Sequence, residues 1–193
     1  MAAGRPKQFD DASVVRAARD LFWERGYAST SLADLQAATG LSRSSLYQAY
    51  GSKQGLFGRA LSSYCDDVIW PIVVPMEAEG AGRDEIVAYF LALARHLRDS
   101  PYDVAARGCM IANTASELNV LDEPTAKVVR EFRDRVYSAF VGCLAPLAGR
   151  IDDIEQKADV LAAAQIGLMI SARYDPIPAA MLAENIAADV ATW

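Results

Sequence analysis

The chain is 193 residues long, with a formal net charge of −6 and a mean hydropathy of +0.08. A chain of this length can bury about 70% of the surface of its unfolded form, so it needs no disulfide bonds to stay folded. Three scattered cysteines and a single histidine exclude a disulfide framework and a zinc cluster, and the polar N-terminus and the lack of an apolar run of ~18 residues exclude a signal peptide and a membrane helix. We therefore expect a cytoplasmic protein with no membrane partner, metal or cofactor.

The charge is unevenly distributed along the chain. Residues 1–60 carry eight Lys or Arg and five Asp or Glu, a net of +3, whereas the other 133 residues carry 11 basic and 20 acidic side chains, a net of −9. A basic N-terminal part on an acidic remainder is typical of an anion-binding module attached to a larger domain.

The apolar residues recur at intervals near 3.6 residues, and no strand-hairpin-strand pattern interrupts them, which predicts an all-α fold. The first helix is expected to begin at Asp10 or Asp11 and to end at Gly26. Later helices are expected over residues 31–39, 42–50, 52–70, 86–97, a short stretch after 108, 123–147, 153–172 and 178–193. We expect two parts, residues 1–51, named the head, and residues 52–193, named the body.

Two short predicted helices of the head are joined through Gly40. Ser31 and Asp34 have the spacing of a capping box at the start of the first, and Ser42 is placed to cap the second. This arrangement is typical of a helix-turn-helix, whose second helix enters the major groove of DNA. Short helices joined by a glycine turn also occur in many other bundles, so spacing alone leaves both readings open.

The second short helix carries hydrogen-bond donors and no acidic residue outside its core positions. These outer residues are Arg43, Ser44, Ser45, Tyr47 and Gln48. Arg43 can bind a guanine through two hydrogen bonds and Gln48 can read an adenine, whereas the hydroxyl groups suit phosphates. Lys53 opens the next helix, where free backbone N–H groups also favour a phosphate. The side-chain chemistry therefore favours DNA as the partner.

The run from Phe22 to Phe57, FWERGYASTSLADLQAATGLSRSSLYQAYGSKQGLF, resembles the DNA-binding signature of the TetR family. The resemblance implies phosphate contacts by Thr30, Tyr47 and Lys53 and base contacts by Arg43, Ser44 and Gln48. Tyr50 is a departure, because the family commonly has Phe there. Gly4-Arg5-Pro6-Lys7 resembles the basic arm that some members lay in the minor groove, with Arg5 as the reading residue, although a solvated tail is an equal alternative.

The same resemblance implies that the body holds an effector pocket. The expected contacts are Trp70, Phe90, Cys109, Met110, Asn113, Phe132 and Val136. Simple core packing is the favoured explanation for each aromatic residue, and capping or a buried hydrogen bond would explain Asn113 equally well. Cys109 lies in a segment, 107–118, that resembles a subgroup in which Gly-Cys opens the sixth helix. A cysteine in this position is more often a packed small side chain, and a lowered pKa with reactivity toward oxidants is the alternative.

The last two predicted helices are apolar around most of their circumference. Such helices must be buried on more than one face, so one face is left for a partner after the core is covered. The residues expected at the interface are Leu161, Leu168, Met169, Met181 and Ile186. Two such helices from each protomer would form a four-helix bundle around a two-fold axis.

These patterns predict a ligand-responsive repressor that binds a palindromic operator in double-stranded DNA as a homodimer and is released by a small-molecule effector. A constitutive DNA-binding or partner-binding helical protein is the alternative. An enzyme is disfavoured, because any Ser-His-Asp or Cys-His device would have to use His96, which has no nucleophile motif near it.

Overall fold

A computed structural model describes residues 9–193, and helices make up the described chain without any strand. The helices are α1 (Asp11–Arg25), α2 (Leu32–Thr39), α3 (Arg43–Tyr50), α4 (Lys53–Tyr64), α5 (Trp70–Val73), α6 (Arg83–Asp99), α7 (Tyr102–Ala105), α8 (Met110–Ala115), α9 (Glu123–Leu144), α10 (Ile154–Ser171) and α11 (Pro176–Val190). A π-helical segment, Cys65–Ile69, and short 3-10 turns join some of them. Over these residues, no helix combines the length and the apolar character needed to cross a membrane.

The head is built by local capping chemistry. The Ser31 hydroxyl accepts the backbone N–H of Asp34, whose carboxylate accepts the N–H of Ser31, so the predicted capping box is confirmed. Ser42 caps α3 in the same way. Gly40 ends α2 with a φ of 70°, a left-handed conformation that glycine adopts without a steric penalty. Each such N-cap stabilises its helix by ~1 kcal/mol.

Helix α4 leads from the head into the body. Ser52 caps it, and its buried residues are Leu56, Phe57, Ala60, Leu61 and Tyr64. They pack against α1 on one side and α8 and α9 on the other. The helix widens into the π-helical segment Cys65–Ile69 just before Pro71, whose nitrogen has no hydrogen to donate to a preceding carbonyl. The chain thus continues from head to body without a linker.

The body is a layered helical bundle in which α11 packs against α6 and α10 packs against α9. An aromatic cluster fills its centre, where the Phe90 and Phe140 rings stack at 5.9 Å and Tyr89 meets both rings edge-on. All three side chains are buried, and so are Phe132 and Val136 of α9. The apolar residues that recur at the helical period in α6 and α9 are therefore the ones that form the core.

Two elements differ from the sequence expectation. Helix α7 was not predicted, because a single turn is too short to show a helical period. Helix α11 begins at Pro176 rather than at Pro178, since Asp175 caps it by accepting the N–H of Ile177. Both prolines then lie in the first turn, where their missing N–H groups would have no partner within the helix.

Candidate DNA-binding face, effector clefts and dimer face

The outer face of α3 presents donors to solvent. Arg43, Ser44 and Gln48 are exposed and Tyr47 is 40% exposed, while Leu46 on the opposite side is buried. The Arg43 guanidinium lies 5.6 Å from the centre of the Tyr47 ring. No acidic side chain belongs to this helix. Leu46 anchors the helix in the core, and the donors face outward with no acidic side chain of the same helix beside them. They can therefore approach phosphates and base edges of DNA without electrostatic repulsion.

The N-terminal turn of α3 holds a cluster of hydroxyl groups. The Ser42 oxygen lies 2.9 Å from the Ser44 oxygen and 3.0 Å from the Ser45 oxygen. Ser45 is partly buried and belongs to the cap, whereas Ser44 is exposed. Ser44 is therefore the hydroxyl available to an external acceptor, beside the free N–H groups of the helix end.

Lys53 opens α4 and stacks its ammonium group on an aromatic ring. Its Nζ lies 4.2 Å from the centre of the Tyr27 ring. Burial lowers the pKa of the Lys53 ammonium below its ordinary value, and the nearby Glu117 carboxylate opposes that shift. The stacking fixes the position of this cation at the edge of the head, next to the N-terminus of α4.

The predicted phosphate contact of Thr30 does not fit its geometry. Thr30 is completely buried, and its hydroxyl donates to the carbonyl of Gly26 at 2.7 Å. The side chain closes the turn between α1 and α2 and does not reach the surface. The arm residue Arg5 lies outside the described residues.

A polar contact that sequence reasoning missed supports α3 from behind. The Tyr50 hydroxyl donates to the Asp11 carboxylate at 2.8 Å, and Arg59 donates to the same carboxylate at 2.7 Å. Burial and the adjacent Asp11 carboxylate raise the pKa of Tyr50. The contact joins α1, α3 and α4, and its only signal in the sequence was a Tyr in a position where Phe was expected.

The structure distributes the predicted effector residues over three places. Phe90, Cys109, Met110 and Val136 are buried in the core. Trp70 and Phe132, with ring centres 6.3 Å apart, line a cleft of about 310 Å³ between α4 and α9. Asn113 lines a separate cleft of about 450 Å³ between the head and the body, here named the junction cleft. The prediction of one common pocket is therefore wrong for this conformation.

Cys109 is not an activated thiol. It is 1% exposed, and burial raises the pKa of its thiol although backbone N–H groups at the start of α8 and the Tyr64 hydroxyl act in the opposite direction. Because the thiolate is the reactive form, the alternative of a reactive thiol is wrong, and Cys109 packs as a small apolar side chain, as the sequence favoured.

The apolar surface of α10 and α11 differs from the predicted interface. Leu161, Leu168 and Met169 are buried within the protomer, and Ile186 is partly buried. The exposed apolar residues are Val160 (61%), Tyr174 (84%), Ile177 (47%), Met181 (53%) and Leu182 (42%). Only Met181 of the predicted set is on this outward surface, named the dimer face. Leu161, Leu168 and Met169 were misplaced because α10 is apolar on several sides.

Residues 14–60 match the family described as bacterial regulatory proteins, tetR family. The chain is 35% identical over 137 residues to the uncharacterized HTH-type transcriptional regulator YezE of Bacillus subtilis (strain 168), covering 71% of this chain and 69% of YezE. It is 31% identical over 179 residues to the HTH-type transcriptional repressor ComR of Escherichia coli (strain K12), covering 88% and 82%. A structure of a cysteine mutant of the TetR family regulator CifR, complexed with 26 bp operator DNA, is 26% identical, with a TM-score of 0.76 and coverage of 98% and 100%. The chain belongs to the TetR family of transcriptional regulators.

Proposed function

We propose that this protein is a transcriptional repressor that binds a palindromic operator as a homodimer and releases it when a small molecule binds the body. The proposal rests on the outer face of α3, where Arg43 and Gln48 are exposed on a helix that contains no acidic residue. Two similarities support it: ComR is named a repressor, and the CifR mutant structure contains operator DNA.

In the proposed complex, α3 lies in the major groove. Arg43 and Gln48 have the groups that read guanine and adenine, and Ser44 and Tyr47 are placed for the flanking phosphates. Lys53 adds a cation beside the N-terminus of α4. Contacts to phosphates displace counterions, so affinity for every sequence should fall as the salt concentration rises.

The proposed homodimer uses the dimer face. Exposed apolar residues that group together mark a site of association, and Val160 of α10 and Ile177, Met181 and Leu182 of α11 are exposed on two helices that pack together. Pairing them with their copies around a two-fold axis would bury the surface in a four-helix bundle. The same axis relates the two heads, as a palindromic operator requires.

The effector response is proposed to pass along α4, which begins beside the DNA-facing Ser52 and Lys53 and leads toward Trp70 in the body. A ligand that shifts the body end of this rigid helix also tilts the head. Because two heads must fit grooves at a fixed spacing, a modest tilt lowers operator affinity. A coupling free energy of about 1–3 kcal/mol is the ordinary size of such effects.

Selection from randomised DNA, followed by fluorescence anisotropy at fixed salt, tests the DNA-binding face. Arg43→Ala should lose about 1–3 kcal/mol of binding free energy and relax the preference at one base position in each half-site. Arg95→Ala is the matched control, since Arg95 is exposed on α6 in the body. Equal binding by the Arg43→Ala variant and the wild type would contradict the proposed reading helix.

Calorimetry tests the effector response once a thermal-shift panel has found a stabilising ligand. Linkage requires operator DNA to weaken ligand binding by the same factor by which the ligand weakens operator binding. Equal ligand affinities with and without operator would leave a constitutive DNA-binding protein as the better description.

A further inference from the structure

The junction cleft lies between the end of α1 and the ends of α8 and α10. Its walls include Trp23 and Gly26 from the head, and Asn113, Glu117, Ile170 and Arg173 from the body. Its volume of about 450 Å³ is ample for a small aromatic compound. Because both parts of the protein form the walls, an occupant would contact the head and the body at the same time.

Asn113 lines this cleft and has an acceptor without a partner in the described residues. Its Nδ2 donates to the carbonyl of Arg107 at 2.8 Å, which fixes the orientation of the amide group. Its Oδ1 is buried, and no donor among residues 9–193 reaches it. Buried acceptors in native proteins are nearly always paired, so this acceptor calls for an N–H or O–H group, from an ordered water or from a ligand in the cleft.

Glu117 connects the cleft to the head. One carboxylate oxygen accepts the backbone N–H of Ala28 at 2.8 Å. The other lies 2.6 Å from the point where a Cβ at Gly26 would stand, so only glycine allows this approach. Nearby, the Trp23 indole donates to the carbonyl of Gly108 at 3.0 Å. Both hydrogen bonds hold the head to the body, and Trp23 and Glu117 also line the cleft.

The charged side chains around the cleft indicate which charged group a ligand would carry. Arg25 is paired with Asp34 at 3.0 Å and with Glu24 at 3.6 Å. Arg173 is exposed, and within the described part of the chain its side chain forms no ion pair; the guanidinium makes one polar contact, a 3.4 Å hydrogen bond to the Arg107 carbonyl. A carboxylate is the natural partner of such a guanidinium.

We propose that the junction cleft binds a small aromatic carboxylate that also carries an N–H or O–H donor. The donor binds Asn113 Oδ1, the carboxylate pairs with Arg173, and the ring packs between Trp23 and Ile170. If the effector response proposed above holds, on which this step rests, occupancy disturbs the bond between Glu117 and Ala28 and so loosens the head.

The experiment uses three probes, 4-hydroxybenzoate, benzoate without the donor, and phenol without the carboxylate. The indole N–H signals of the three tryptophans in a ¹⁵N NMR spectrum report the site, because Trp23 lines the cleft whereas Trp70 and Trp193 do not. We expect 4-hydroxybenzoate to shift the Trp23 signal in a saturable way and to bind at least tenfold more tightly than either other probe.

Two variants test the assigned contacts. Asn113→Leu should remove the preference for 4-hydroxybenzoate over benzoate, and Arg173→Ala, an exposed position that leaves the Asn113 amide intact, should remove the preference over phenol. Arg150→Ala is the control for loss of an exposed arginine. No saturable shift of Trp23, equal binding of the three probes, or preferences unchanged in both variants would overturn the proposal.

Operator binding without any probe separates this inference from the proposed function. If the protein binds operator but none of the probes shifts the Trp23 signal, the proposed ligand site in the junction cleft is refuted and the proposed repressor function stands. A specific Trp23 shift in a protein that selects no operator would support the cleft and refute the repressor.

Discussion

Replacing Met181 by Glu should separate the protomers without unfolding them. Met181 is 53% exposed on α11, between the exposed Ile177 and Leu182. Full burial of a methionine contributes about 1.5–3 kcal/mol, of which roughly half remains to be gained at the interface. An unpaired carboxylate buried there adds a penalty of a few kcal/mol. The two-fold axis makes each change act twice, so the dimer loses roughly 4–8 kcal/mol, and its Kd rises by about three to six powers of ten.

Sedimentation velocity at micromolar concentration measures this change, and circular dichroism checks that the helices persist. Val74→Glu is the matched control, because Val74 is 49% exposed but lies in the short turn Val74–Glu77 before α6. Leu168→Glu is the opposite control, since Leu168 is fully buried and a charge there should unfold the protomer itself. A Met181→Glu protein that sediments as the wild-type dimer would refute the assigned dimer face.

Three further predictions concern Lys53, Tyr50 and His96. Lys53→Ala should weaken binding to all DNA sequences by the same factor. It should also reduce the slope of log affinity against log salt concentration by about 1, measured by anisotropy across a salt series. Tyr50→Phe should lower the free energy of unfolding by about 0.5–1 kcal/mol in urea titration, because it removes the bond to the exposed Asp11; an unchanged value would show that the bond contributes nothing. Burial lowers the pKa of His96, so the unfolded chain takes up the proton first and stability should fall as the pH drops below 6.5; His96→Gln should flatten that part of the curve.

The features that could be predicted from the sequence depend on neighbouring residues. The capping box of Ser31 and Asp34 and the cap by Ser42 involve atoms three residues apart, so the chemistry is complete within the segment. The 3.6-residue period likewise predicts which side of α9 is buried, because Phe132 and Val136 alternate with charged residues. Local patterns of this kind determine where the helices begin and which face they bury.

The features that could not be predicted depend on which helices meet. Helix α10 is apolar on several sides, so nothing local distinguishes Leu161, which packs inside the protomer, from Val160, which is exposed. Thr30 looks like a surface hydroxyl in the sequence but is buried by the turn that it closes. The junction cleft combines residues about 150 positions apart, such as Trp23 and Arg173, and only the packed chain brings them together.

The end of α10 brings the dimer face and the junction cleft to the same place. Tyr174 is 84% exposed, lies on the dimer face and also lines the cleft beside Arg173. A partner protomer that contacts Tyr174 therefore changes one wall of the cleft, and linkage requires ligand binding and dimerisation to affect each other by the same factor. The Met181→Glu monomer should accordingly bind 4-hydroxybenzoate with an altered affinity, measured by the Trp23 indole signal. The same affinity in monomer and dimer would show that the two surfaces act independently and that the effector signal travels only through Glu117 and the head.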